Sequence, residues 1–224
     1  MEELAQRLDI SPQDLKEYLK KIWREEKYLK YTQKSQLANT LQAKVETPFT
    51  GSWSFKNWIK DNWYIILGLI FLVFIVYANG LGGNFVSDDV NWIPKNPNIG
   101  NVKYLFQGND RPATLFVFHF AHLIGGLNPF FYRLPNVFFH AGNVILIFLL
   151  ISWLFNKRTA IFASLIFAVH PILIESVTWI AGGSYSAYTF FFLLSFVFYL
   201  LAKRKVWLYI FTIIFFLISL AFSE

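Results

Sequence analysis

Long apolar runs constrain the fold of this chain more than any other feature. A helix needs about 20 residues, each rising about 1.5 Å, to cross the hydrocarbon core of a bilayer. Several stretches after residue 62 approach that length. The 224 residues are 55% hydrophobic and only 15% charged, whereas soluble domains carry about 25% charged residues. We therefore expect an all-α polytopic membrane protein.

Basic clusters set the expected orientation. Lys157-Arg158 and the run 203–205 stand without acidic neighbours, and such clusters mark cytoplasmic turns. This distribution favours a membrane topology over nucleic-acid binding, so no nucleic-acid partner is expected. We expect about five transmembrane helices, with the N-terminus in the cytoplasm, in a bacterial inner membrane or its equivalent. The expected spans are 63–81, 134–155, 159–177, 185–202 and 206–222.

One apolar stretch, 113–127, is too short to be a span. Its 15 residues give roughly 22 Å of helix, less than the bilayer core requires. If it did cross, Lys157-Arg158 would fall on the outer side, against the charge rule. We expect it to lie as a helix in the outer interface, within an extracytoplasmic loop at 82–132.

The chain divides by composition into a charged tail with a linker, 1–62, and a membrane domain, 63–224. Ser11 followed by Pro12 is typical of a helix N-cap with proline at the first helical position. Residues 3–22 could form a helix-turn-helix with its turn at 9–11, but a short cytosolic hairpin that docks on the membrane or a partner is favoured. No cysteine is present, which excludes disulfides and thiolate metal sites. Because the chain stops directly after an apolar helix, we expect it to be the N-terminal piece of a larger protein.

Asp88 and Asp89 are adjacent acids just after the first span, in a region where carboxylates are rare. One of them could act as a general base that takes a proton from an attacking hydroxyl. Alternatively, the pair could bind a divalent cation, the one cofactor that these residues suggest. A solvated loop turn, where aspartate is common, is the third interpretation.

Other polar residues are expected on the same outer side. Arg111 precedes Pro112 at the start of the interfacial helix and could hold a lipid phosphate. Arg133, Asn136, His140 and Asn143 have helical spacing and share one face; they serve either a functional cavity or helix packing. Pro171, after His170, should kink the third span, and Glu175 is the one acid within a span. We expect Arg111, Arg133, His140, His170 and Glu175 to converge on one outer cavity that binds the donor phosphate or substrate.

His119 and His122 also share a helix face, but nothing in the sequence supplies a third ligand, so a metal site there is not favoured.

The motifs resemble a known family. In order they are the acid pair, Arg111-Pro112, residues 125–129 (Gly-Gly-Leu-Asn-Pro), Tyr132 with Asn136 and His140, and the run 167–179 with its His-Pro and Glu. This pattern is similar to the N-terminal membrane half of the protein O-mannosyltransferase-like glycosyltransferases with tetratricopeptide repeats, of the membrane-embedded GT-C class. The resemblance covers about 63–224. It departs from the family after the Trp-x-x-Gly turn, where Gly183 and Tyr185 replace the usual Arg and Asp.

The resemblance implies a function in protein O-mannosylation. It implies transfer of a sugar from a polyprenyl- or dolichyl-phosphate donor to a protein or glycan acceptor on the extracytoplasmic face. Asp88 or Asp89 would then be the catalytic base. A non-catalytic protein that binds or transports a lipid or solute is the alternative, and a membrane anchor presenting the tail is a third interpretation that leaves the outer acids unexplained.

Overall fold

The computed structural model describes residues 5, 11–45, 54–106, 111–203 and 205–223. The chain forms two compact units, Met1–Thr47 and Pro48–Glu224.

The first unit contains a long helix, α1, over Pro12–Val45. Ser11 caps it as predicted, because its hydroxyl oxygen accepts a hydrogen bond from the Asp14 N–H at 3.1 Å and donates to the Asp14 carboxylate at 2.6 Å. Pro12 occupies the first helical position, where its missing N–H costs nothing. Leu15 is buried, as is Ala5. The predicted turn at 9–11, and the helix expected before it, lie largely outside the described residues.

The second unit is built from helices. It begins with α2 (Phe55–Tyr77), α3 (Asp89–Trp92) and α4 (Pro112–Gly125), with 3-10 turns at Ala78–Gly80 and Val102–Phe106. It continues with α5 (Pro129–Leu154), α6 (Lys157–Val169), α7 (Ile174–Thr178), α8 (Gly183–Ala202) and α9 (Tyr209–Phe222), with 3-10 turns at Pro171–Leu173 and Val206–Leu208.

The predicted class of helical membrane protein is confirmed. Among the described residues, three helical segments are long and apolar enough to cross a bilayer: Phe55–Gly80, α5 and α8. The bent pair of α6 with Pro171–Thr178 makes a fourth if it counts as one span. The predicted fifth span, Val206–Phe222, falls among the shorter apolar helices, as does α4. Helix α2 begins before the predicted start of the first span at residue 63, and Lys56 and Lys60 lie in its first turns.

Helix α5 is the centre of the second unit. In the most apolar stretch of α5, 56% of the residues are buried inside the protein, whereas 17% are buried in the corresponding stretch of Phe55–Gly80. Val144 and Phe148 of α5 pack against Leu69 and Val73 of α2 and Ala160 of α6 in one hydrophobic core. Large apolar side chains elsewhere point outward, as expected where lipid replaces water as the solvent; they include Phe71, Phe162, Ile166, Ile213 and Leu217.

The third membrane segment is broken, as the proline predicted. Helix α6 ends at Val169, and His170 adopts an extended conformation with φ −65° and ψ 125°. The following Pro171 has no N–H and disfavours helical geometry at the residue before it. The chain then resumes as a 3-10 turn and α7, bent by 50° from α6. A break of this kind leaves backbone carbonyls without helical partners, and inside a membrane those must be satisfied by neighbouring groups.

Candidate functional site

The two adjacent aspartates have opposite environments. Asp89 is fully buried; one carboxylate oxygen accepts a hydrogen bond from the Ala181 N–H at 2.9 Å and the other from the Val86 N–H at 3.3 Å. Burial raises the pKa of Asp89, while these N–H groups and the positive charge of Arg133 act in the opposite direction. The Asp89 side chain thus ties the loop before α3 to the turn before α8.

Asp88 is exposed on the same loop. It stands immediately before α3, and its side chain makes no capping hydrogen bond. The preceding Ser87 has φ of 52°, in the left-handed region that a non-glycine residue rarely adopts. Such conformations persist only where the surrounding structure enforces them, and they cluster at functional sites. The loop therefore presents one carboxylate to the surroundings and buries the other.

Arg133 of α5 binds the chain segment just before this loop through its guanidinium group. Its side chain is 3% exposed, and its Nε donates to the Thr178 carbonyl at 2.8 Å. Its two terminal nitrogens donate to the carbonyls of Gly83 and Asn84. A planar guanidinium can bind three carbonyls at fixed angles, which a lysine could not reproduce. Arg133 and Asp89 therefore clamp the same two loops, one through carbonyls and the other through N–H groups.

The rest of the polar face on α5 is directed at the broken segment and the start of α8. Asn136 donates to the Trp179 carbonyl at 3.2 Å, and Asn143 donates to the Ser186 carbonyl at 2.9 Å. The His140 Nε2 lies 3.2 Å from the Ala168 carbonyl, in the last turn before the break. Asn136 and His140 thereby satisfy carbonyls that the turn and the break leave without helical partners, whereas Asn143 adds a donor to a carbonyl in the first turn of α8.

A cavity of about 440 Å³ lies beside the break. Its wall includes His140, Asn143, Glu175, Tyr185 and Tyr188, so it offers an imidazole, an amide, a carboxylate and aromatic rings. The side-chain oxygen of Asn143 is buried without a hydrogen-bond partner. This cavity brings together two predicted site residues, His140 and Glu175. The other three, Arg111, Arg133 and His170, do not line it.

His170 has a local role in the break. It is exposed, and its Nδ1 accepts a hydrogen bond from the Ile172 N–H at 3.3 Å, which caps the 3-10 turn that follows.

Arg111 is half-buried and stands at the N-cap of α4, with Pro112 at the first helical position. The N-terminus of a helix favours anions, because its free N–H groups and dipole are positive.

The two histidines of α4 serve different partners. The His119 Nδ1 lies 3.0 Å from the Ile99 carbonyl, whereas the His122 Nδ1 lies 3.1 Å from the Tyr132 hydroxyl. Within the described part of the chain, no three His, Asp or Glu side chains are grouped as metal ligands. Asp89 is fully buried and both of its oxygens accept N–H groups, so the two aspartates do not present their carboxylates to the same surroundings.

Sequence reasoning missed the clamp role of Arg133 and Asp89. One signal could have found it: a helix broken by Pro171 and followed by Gly182-Gly183 needs donors for its freed carbonyls, and Arg133 and Asn136 offer such donors from one face of α5.

The fold defines a helical membrane protein with a clamped, acid-bearing loop after its first span. The chain is similar to proteins that are named as protein O-mannosyl-transferases. It is 36% identical over 154 residues to Protein O-mannosyl-transferase TMTC3 of Mus musculus, a match that covers 60% of this chain and 16% of the relative. Protein O-mannosyl-transferase TMTC3 of Homo sapiens matches at 36%, over 60% of this chain and 17% of the relative. Protein O-mannosyl-transferase Tmtc1 of Drosophila melanogaster matches at 29%, over 60% and 18%.

The chain therefore spans only 16 to 18% of the length of these relatives. The resemblance predicted from the motifs is confirmed, since the relatives carry the O-mannosyl-transferase name. No family model matches the chain, and no solved structure matches it.

Proposed function

We propose that this chain forms part of a membrane glycosyltransferase of the GT-C type that uses Asp88 as its catalytic base. The donor would be a polyprenyl- or dolichyl-phosphate sugar, the sugar a hexose such as mannose, and the acceptor a hydroxyl of a protein or glycan. The observation that carries the proposal is the division of the acid pair: Asp89 is buried in the clamp, and Asp88 is exposed on the loop that the clamp fixes. The names of the relatives support the reaction class.

The reaction needs little from the protein beyond positioning and one proton acceptor. The acceptor oxygen attacks the anomeric carbon of the donor while its proton passes to the Asp88 carboxylate. The bond from the anomeric carbon to the phosphate oxygen breaks, and the lipid phosphate leaves with the bonding electron pair. An exposed carboxylate that makes no capping hydrogen bond, on a loop that Arg133 and Asp89 hold in place, suits this task.

The departing phosphate gains negative charge, which cationic groups would stabilise. Among the described residues, Arg111 is the best-placed candidate to bind this phosphate. It is the N-cap of α4 and so combines a guanidinium with the positive end of a helix. His140 and Glu175 would bind sugar hydroxyls from the wall of the 440 Å³ cavity. His170 would contact substrate only from the exposed edge of the break, and Arg133 would act by positioning the loop.

The proposed orientation puts Asp88 on the extracytoplasmic side. The cationic turn before α6 adjoins the N-terminal half of α2, since the Lys157 ammonium donates to the Tyr64 hydroxyl at 3.1 Å. The Trp58 indole donates to the Ser152 hydroxyl at 3.2 Å at the same end. This is the end that the positive-inside rule assigns to the cytoplasm, and the acid loop follows the opposite end of α2.

The proposal is tested with membranes that carry the protein expressed from its full reading frame. They are supplied with a radiolabelled polyprenyl-phosphate hexose, and label in protein is measured with and without the Asp88→Asn substitution. We expect label in protein above vector-only membranes, and its loss in the Asp88→Asn variant. Unchanged labelling in that variant would remove the catalytic assignment, and solute flux without any acceptor would favour the transport alternative.

A further inference from the structure

The first unit carries a feature that the transferase proposal does not use. Lys16, Lys20, Trp23, Lys27 and Lys30 follow one another at intervals of four, three, four and three residues. At about 100° per residue these positions fall on one narrow stripe of α1. All five side chains are exposed, and we call this surface the lysine stripe.

The acids of the same turns lie outside the stripe. Glu25 falls about 180° away, and Glu17 and Glu26 lie on the two flanks, at about 80° to 100°. Glu26 pairs with Lys30 at 2.7 Å, but an exposed pair of this kind contributes little. The stripe therefore presents a row of four ammonium groups with a tryptophan in its middle.

Trp23 is exposed over 62% of its surface, and the Lys27 ammonium lies 4.8 Å from its ring centroid. A tryptophan beside lysines is the composition that proteins place at the level of lipid headgroups, where the ring enters the interface and the charges stay in water.

The reach of the chain favours a bilayer as the occupant. Only residues 46–53 separate the end of the described part of α1 from Ser54, which directly precedes α2. Eight residues span at most about 30 Å of chain. Helix α2 enters the membrane with Lys56 and Lys60 in its first turns, so its starting end lies at the leaflet surface that attracts basic segments.

We propose that α1 lies on the surface of the membrane that α2 enters, with the lysine stripe bound to anionic phospholipid headgroups. The attraction is electrostatic and is strengthened by the Trp23 ring. Each lysine near an anionic surface strengthens binding about fivefold, from about 1 kcal/mol per charge. The contact should weaken in high salt, where the Debye length falls from about 10 Å at 0.1 M to about 3 Å at 1 M.

The chain has no cysteine, so a single introduced thiol is a unique probe. The whole chain, carrying either Lys27→Cys or Glu25→Cys, is spin-labelled and reconstituted into vesicles of phosphatidylcholine alone or with about one third phosphatidylserine. Collision rates with oxygen, which enters lipid, and with a water-soluble nickel chelate are measured for each label. Position 25, on the opposite face, is the matched control.

With phosphatidylserine present, the label at 27 should gain oxygen collisions and lose nickel collisions, and the label at 25 should keep its exposure to nickel. In phosphatidylcholine alone the two labels should behave alike. Replacing Lys16, Lys20 and Lys30 by Gln should weaken the contact about 100-fold and abolish the difference. Equal exposure of position 27 in both lipids would overturn the proposal. So would spin–spin broadening between copies in phosphatidylcholine, because it would mean that α1 pairs with itself.

Discussion

Asp89→Ala and Asp88→Ala should differ sharply in stability, because the structure gives neighbouring residues opposite surroundings. Removing the Asp89 carboxylate leaves the Ala181 N–H without its acceptor, and Ala181 is 8% exposed; an unsatisfied buried donor costs about 1 to 3 kcal/mol. It also removes the negative charge that attracts the buried Arg133 guanidinium. We therefore expect a loss of about 1 to 3 kcal/mol, set by the unsatisfied donor.

Asp88→Ala removes an exposed carboxylate with no capping bond, so its effect should stay within about 0.5 kcal/mol. Thermal unfolding of the two variants in the same detergent gives the comparison. For a chain of this size 1 kcal/mol corresponds to about 2 to 4 °C, so Asp89→Ala should lower the Tm by about 4 to 8 °C for a loss near 2 kcal/mol, and Asp88→Ala by less than about 2 °C. Equal losses in the two variants, or a loss at Asp88 alone, would refute the assignment of Asp89 as the buried anchor.

Three further predictions concern the packing and charge of the same region. Gly183→Ala should destabilise by about 1 to 3 kcal/mol, because a Cβ there would meet the Asn136 side chain at 1.9 Å, whereas Gly68→Ala, with nothing within 4 Å, should be neutral or stabilising; detergent unfolding of both variants checks this. The Asp89 pKa is raised above its ordinary value of 3.8, so the folded state binds this proton more tightly, and stability should fall as pH rises from about 4 through the folded-state pKa. Asp89→Asn should lack that part of the slope when Tm is measured from pH 4 to 7. His140→Phe keeps a ring but leaves the Ala168 carbonyl without its partner, so it should cost about 1 to 3 kcal/mol in the same unfolding assay.

Local features of the fold were predictable from the sequence because their causes lie within a few residues. Apolar runs of membrane length indicate a helical membrane protein, Ser11 before Pro12 indicates a helix start, and Pro171 indicates a break. Each depends on a nearby backbone N–H, a proline ring or the width of the bilayer. The shorter length of Val206–Phe222 was less predictable, because an apolar run does not say where a preceding 3-10 turn ends.

The division of the acid pair was not predictable, because its cause is distant in sequence. Asp89 is buried, and its carboxylate accepts a hydrogen bond from the N–H of Ala181, 92 residues away. Arg133 reaches Thr178, 45 residues away. Two adjacent aspartates look alike in a sequence, and only the tertiary contact of one of them, with the left-handed backbone at Ser87, decides which faces outward.

The polar face of α5 shows the same limit. Its helical spacing predicted that Arg133, Asn136, His140 and Asn143 share a face, and all four side chains do contact the broken segment or the start of α8. Whether such a face binds a substrate or the protein's own backbone depends on the groups that pack against it. Here backbone carbonyls lie opposite, and only His140 and Asn143 also line the cavity.

The most direct test of the account is the activity of Asp88→Asn alone, measured beside its thermal stability. Asparagine keeps the size of the side chain and removes its ability to accept a proton. The account predicts that transfer of labelled hexose to protein falls by at least about 100-fold, as expected for the loss of a general base, while Tm stays within about 2 °C of the unsubstituted protein. Full transfer activity in a folded Asp88→Asn variant would contradict it.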